Sequence, residues 1–139
     1  MTEWLLWQAQ TTPLLALHSH QVEKLAADTY RLQVVVQNQG YLPTYVTKKA
    51  LERKTCRPLL AELELTADMQ LLTGEARVDR GHLEGVAYKP TSPVLTAGDP
   101  TDDRVKLVWV IRAPTGGICR VIVRQERSGL VRLEVPLPE

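Results

Sequence analysis

The side chains with the greatest chemical capacity in this chain are its three histidines and the acids near them. His20-Gln-Val-Glu23, with His82 far along the chain, has a His-x-x-Glu spacing plus a distant histidine of the kind that can hold zinc in a hydrolase. That chemistry needs three or four ligands converging at about 2.0 to 2.3 Å, an open coordination position and a general-base carboxylate. Spacing does not supply convergence, and His18 and His20 would share one strand face with no histidine beyond His82 to join them. The three are read as solvated or rim groups. No catalytic residue, no metal ligand and no cofactor is assigned to this chain.

Other site chemistries find less support. Ser19, Ser92 and Ser128 stand in no Gly-x-Ser-x-Gly frame. Thr115-Gly-Gly117 reads as a turn between strands rather than a phosphate cradle. Glu62 and Glu64 alternate on one strand, with Glu52 nearby, as a solvated face does. Lys48, Lys49, Arg53, Lys54 and Arg57 lack the interleaved aromatics of a nucleic-acid surface and read as a solvated helical face. Cys56 and Cys119 show no Cys-x-x-Cys spacing; two reduced thiols is the reading, with a bridge between them left open.

What must position any site is a single domain of 139 residues, 44% hydrophobic and 24% charged, too apolar for a disordered chain. Seventeen Lys and Arg against sixteen Asp and Glu leave +1, no electrostatic footprint for nucleic acid or anionic lipid. No apolar run approaches the roughly 20 residues of a membrane-spanning helix. The opening MTEWLLWQAQTTPLL lacks the basic start of a signal peptide, which favours the cytoplasm without fixing a compartment. With no phenylalanine and three tryptophans, the core must be mainly aliphatic.

Period-two alternation dominates the rest. Tyr30, Leu32, Val34 and Val36 share one face of 29–38, and Leu59, Ala61, Leu63 and Leu65 one face of 58–66. Val105, Leu107, Trp109 and Ile111 share one face of 104–113, with Trp109 as the expected central aromatic. Val108 and Val110 on its reverse suggest a strand covered on both sides or lying at an interface. Strands over 118–127 and 130–137 flank the turn Arg127-Ser-Gly129, and weaker ones are expected at 14–20, 69–72 and 76–83. About seven or eight short strands spaced by turns predict an all-β, antiparallel, immunoglobulin-like sandwich.

Two segments dissent. Helix formers after Thr47 predict a short helix near 46–53, and residues 1–13 read as a separate helical segment carrying Trp4, Leu5 and Trp7. The three prolines and polar residues of 89–103 predict a long loop.

The run from Tyr30 to Ala50, with Gly40-Tyr-Leu-Pro-Thr44 at its centre, resembles the region after the catalytic domain in bacterial zinc carboxypeptidases of the M14 peptidase family. Arg57-Pro58, Gly81-His-Leu-Glu-Gly85, Trp109-Val-Ile-Arg-Ala113 and Gln125 to Arg132 resemble the same tail in the same order. The resemblance implies that 14–139 is a non-catalytic accessory β-sandwich and that 1–13 is the end of a peptidase-domain helix. It also implies that zinc belongs to a catalytic domain outside this chain, and His20 and Glu23 fall downstream of where that family keeps its metal motif. The expected partner is that peptidase domain in cis, or a protein or peptide; the chain alone is expected either to self-associate through the N-terminal segment or to leave that segment poorly ordered. The candidate interface is Trp4, Leu5, Trp7, Tyr41, Pro43 and Tyr45. The alternative is a stand-alone immunoglobulin-like module that holds a peptide or protein by a sheet edge or by the Tyr41 to Tyr45 loop.

Overall fold

A computed structural model describes residues 2–86, 102–114 and 116–138. It contains eight strands: β1 (Leu15–Ala26), β2 (Thr29–Asn38), β3 (Leu60–Glu64), β4 (Gln70–Thr73), β5 (Arg77–Asp79), β6 (Arg104–Arg112), β7 (Gly117–Gln125) and β8 (Gly129–Leu137). They form two four-stranded antiparallel sheets, ordered β1-β2-β6-β4 and β5-β3-β7-β8. With β2 beside β6 and β3 beside β7, the fold is an all-β sandwich. Helix α1 (Thr2–Gln10) precedes it, and α2 (Lys48–Glu52) sits between β2 and β3. Most of the loop expected over 89–103 lies outside the described residues.

Alternation determines which face each strand buries. Tyr30, Leu32, Val34 and Val36 from β2 meet Leu107, Trp109 and Ile111 from β6 across one sheet, all 2% exposed or less. Ala61 and Leu63 from β3, Cys119, Val121 and Val123 from β7 and Val135 and Leu137 from β8 supply the other inner face. Trp109 is the largest fully buried side chain, and its indole Nε1 donates to the carbonyl of Glu75 at 2.8 Å, so the one polar atom of the ring is satisfied. The Tyr30 hydroxyl donates to the carbonyl of Pro138, tying the end of the chain to the first sheet.

The outer face of the second sheet is a ladder of ion pairs. Arg120 bridges Glu64 at 3.3 Å and Glu134 at 2.9 Å, and Glu62 accepts from Arg124 at 3.3 Å beside Arg77 at 3.5 Å. These are the acids and bases that alternation places outward, directly opposite one another for Glu64, Arg120 and Glu134 and for Glu62 and Arg77, and diagonal for Glu62 and Arg124. On the first sheet's outer face Val108 is exposed and Val110 half-buried, so within the described structure nothing covers that side of β6.

Two boundaries differ from the alternation pattern. β1 runs to Ala26, six residues past the expected end at His20, because its hydrogen bonds go to β2 and need no apolar partner. His18 and Leu25 fall at register irregularities, and residues 18–26 are exposed except Val22. The strand expected over 76–83 shrinks to Arg77–Asp79, because the chain has just crossed from β4 in one sheet to β5 in the other. The short helix is where the pattern places it, with the Thr47 hydroxyl accepting from Ala50 N–H at 3.2 Å as its N-cap.

Trp109→Ala should cost about 3 to 5 kcal/mol, the range for emptying a large buried aromatic site. Urea unfolding of the variant measures it; a loss below about 1 kcal/mol would place the ring at the surface.

Candidate functional site

One end of the sandwich gathers four chain segments around a single side chain. Asn38 closes β2 and is fully buried. Its Oδ1 accepts from Leu14 N–H at 3.0 Å and from Gly40 N–H at 2.9 Å, while its Nδ2 donates to the carbonyls of Leu42 at 2.9 Å and Glu84 at 3.2 Å. Its backbone N–H donates to the carbonyl of Asp103 at 2.8 Å. The amide therefore makes four side-chain bonds and holds together the segment entering β1, its own loop 39–45 and the segment 82–86, while the backbone N–H of the same residue ties in the chain returning into β6.

The loop 39–45 fits closely between its neighbours. A Cβ on Gly40 would lie 2.2 Å from the Thr12 carbonyl oxygen, and one on Gly85 would lie 2.4 Å from that of Tyr41. Neither backbone can move away, because Leu42 N–H donates to the Thr11 carbonyl at 3.0 Å and Val86 N–H to that of Gly40 at 3.1 Å. These two glycines are needed for close approach of main chains.

Helix α1 leaves this anchored end without burying anything. Trp4, Leu5, Leu6 and Trp7 are 58 to 62% exposed, and no residue of the helix is buried. Tyr41, on the loop tied to Thr11, is also exposed, as are Leu14 and Val86 on the two segments bound by Asn38. Of the candidate interface residues, Trp4, Leu5, Trp7 and Tyr41 thus stand open and Pro43 is half-buried. Tyr45 points the other way: it is buried, with its hydroxyl 2.8 and 3.0 Å from the two carboxylate oxygens of Glu84. It lines the interior of the loop. Leu6, a large apolar residue of the same N-terminal segment, belongs to this open helix surface as well.

Asn38 is also absent from the residues selected by type. A signal was present, since Asn-Gln-Gly is the sequence of a turn in which the Asn side chain accepts from the N–H two residues on. Nothing local indicated that the same amide would reach Glu84, 46 residues away.

The histidine set does not assemble. His20 lies on exposed β1 opposite Val34, and Glu23 pairs with Arg31 at 3.3 Å. His82 is on the 80–86 segment, its Nδ1 3.2 Å from Thr44 Oγ1, its Nε2 3.8 Å from Cys56 Sγ and its ring edge-on to Tyr45. Burial holds the His82 pKa below the usual histidine value despite the opposing influence of Asp79, Glu126 and Glu84. Among the described residues no group of three or more His, Cys, Asp and Glu side chains is placed to hold a metal ion. Cys56 and Cys119 are both free thiols; Cys119 is in the core, donating to the Val135 carbonyl, and burial pushes its pKa up.

The class these features define is a two-sheet β-sandwich carrying an apolar helix on one end. Residues 14–136 match a family model described as a Domain of unknown function (DUF8731), and the chain belongs to that family. The matched span begins at Leu14, so α1 stands outside it. No curated protein matches the chain.

Asn38→Ala should destabilise the fold by about 3 to 4 kcal/mol, since it removes the partner of two N–H groups and two carbonyls at once. Denaturant unfolding gives the size, and hydrogen exchange at Leu14 and Gly40 gives the place. A loss under about 1 kcal/mol would mean that water replaces the amide.

Proposed function

We propose that the chain is a non-catalytic interaction domain, and that the surface it offers is α1 with Tyr41 beside it. The observation that carries this reading is the exposure of Trp4, Leu5, Leu6 and Trp7 on a sandwich whose core is complete without them. Large aromatic and aliphatic groups of this kind cluster where another surface covers them. The sequence resemblance supports a specific cover, the catalytic domain of a zinc carboxypeptidase of the M14 family, with the metal and the hydrolysis of C-terminal residues belonging to that domain. In this role the sandwich is an accessory domain, and the Asn38 amide gives α1 a rigid base.

The stand-alone reading also has an observation in its favour. Within the described structure β1 has only β2 as a sheet neighbour, and beyond Leu15, whose N–H donates to the Ser128 carbonyl at 2.9 Å, its other edge can receive an extended peptide. The 39–45 loop is less suited to this, because Leu42 and Thr44 N–H already donate to Thr11 and Leu83. The bulges of β1 and its charged Glu23 and Lys24 are the features by which proteins discourage strand addition, so the helix is the favoured surface.

Without its cover, the chain should self-associate through α1. Sedimentation velocity of the chain beside the Trp4→Ser, Trp7→Ser double variant tests this: the variant should be monomeric and should unfold within about 0.5 kcal/mol of the parent. A monomeric parent with strongly protected amides over residues 2–12, and a variant weakened by more than about 2 kcal/mol, would make α1 part of the sandwich's own stability and overturn the reading.

The chain alone should neither retain stoichiometric zinc nor release C-terminal residues from peptides. Metal analysis of chelator-free protein with a carboxypeptidase assay checks both, and one tightly bound zinc lost in a His20→Ala, His82→Ala variant would reverse the assignment.

A further inference from the structure

Cys56 and His82 form a pair that the interaction surface does not use. The two residues are 26 apart in sequence, on the turn after α2 and the irregular stretch after β5, with Sγ 3.8 Å from Nε2. The other ring nitrogen, Nδ1, lies 3.2 Å from Thr44 Oγ1. That hydroxyl is fixed in place by accepting from Leu83 N–H at 3.0 Å. The Tyr45 ring stands edge-on to the imidazole at 5.8 Å between centroids. When Nδ1–H donates to Thr44, Nε2 has its lone pair directed at the thiol. A thiol, a ring nitrogen that can accept its proton, and a hydroxyl that orients the ring are the parts of an activated nucleophile.

We infer that Cys56 is a modification site, a thiol oxidised by hydrogen peroxide to the sulfenic acid with His82 as its proton acceptor and Thr44 as the group that positions the ring. In the step, the Cys56 proton passes to His82 Nε2 and the sulfur attacks one peroxide oxygen. The S–O bond forms as the O–O bond breaks, so sulfur is oxidised and peroxide reduced. The departing hydroxide takes the proton from His82 and leaves as water, which returns the imidazole to its starting state.

The surroundings suit this chemistry. Cys56 is buried but sits between exposed Thr55 and Arg57 on a surface turn, so a two-oxygen oxidant has only a short path to it. The groups that bear on His82 are Tyr45, Asp79, Glu84 and Glu126. Their carboxylates favour a protonated ring and burial opposes it, with burial the larger influence, so the ring is neutral and able to accept a proton at neutral pH. Cys119 is the internal control: it is fully buried and donates to the Val135 carbonyl.

The experiment treats the folded chain with hydrogen peroxide in the presence of dimedone, which traps sulfenic acids, and follows each cysteine by peptide mass spectrometry. Iodoacetamide alkylation rates are measured in parallel from pH 5 to 9. Cys56 should be trapped and Cys119 spared. Below the ordinary thiol range the Cys56 alkylation rate should level off rather than fall about tenfold per pH unit, as a thiol without a base does. His82→Gln should slow the neutral-pH reaction by about tenfold or more and restore the steep profile. If that variant does not fold, the parent's own pH profile decides the matter. Equal labelling of the two cysteines in folded protein, or a parent profile that follows an ordinary thiol throughout, overturns the inference.

Discussion

The Asn38 amide is the constraint on which this end of the molecule depends. A buried primary amide has two acceptor and two donor positions, and each one left unpaired away from water costs about 1 to 3 kcal/mol. Here all four are used, on partners from three segments that are otherwise irregular. Irregular backbone has no ladder of its own to satisfy its N–H and carbonyl groups. One side chain thus serves as the ladder for the approach to β1, the loop after β2 and the segment before the 87–101 stretch. The two close-packed glycines, Gly40 and Gly85, follow from the same geometry, because the amide reaches both sides only if the main chains approach within side-chain-free distance.

From this anchor the division of surfaces becomes intelligible. The inner faces of both sheets are consumed by the core, and the outer face of the second sheet is occupied by alternating acids and arginines around Ile122. Exposed pairs of this sort add little stability each, being screened by water, but they keep a flat strand surface from presenting a continuous apolar patch. The helix that departs from the anchored end carries no such protection. Its apolar side chains occupy successive positions from Trp4 to Trp7, which go around the helix rather than along one stripe, so one flat contact cannot cover them all.

The interior of the 39–45 loop has a second consequence. Tyr41 and Tyr45 are alike in type and four residues apart, yet one is exposed and the other buried on Glu84. Val46 follows with φ of 64°, an unfavourable conformation for a β-branched residue, and Thr47 N–H closes onto the Tyr45 carbonyl at 2.7 Å. The chain accepts that strain where it turns from the loop into α2, and the turn is what carries Tyr45 inward toward His82 and Glu84.

Much of the fold was legible in the sequence because burying one face of a strand imposes period two on its residues. That rule located β2, β3, β6, β7 and β8, their inner faces and Trp109 at the centre, and capping chemistry located α2 at Thr47. The same rule failed for the outer half of β1, whose backbone is held by β2 while its side chains face water. It overextended β5, which ends after three residues beside β3. At the candidate site, the sequence selected Trp4, Leu5, Trp7 and Tyr41, which stand open, together with Pro43, which is half-buried, and Tyr45, which is buried. Only the tertiary structure could send Tyr45 inside, bring Cys56 to His82 and give Asn38 its partner at Glu84. Each of these depends on segments 26 to 46 residues apart meeting at one end of two packed sheets, and the local periodicity of a chain carries no record of which distant backbone will lie beside it.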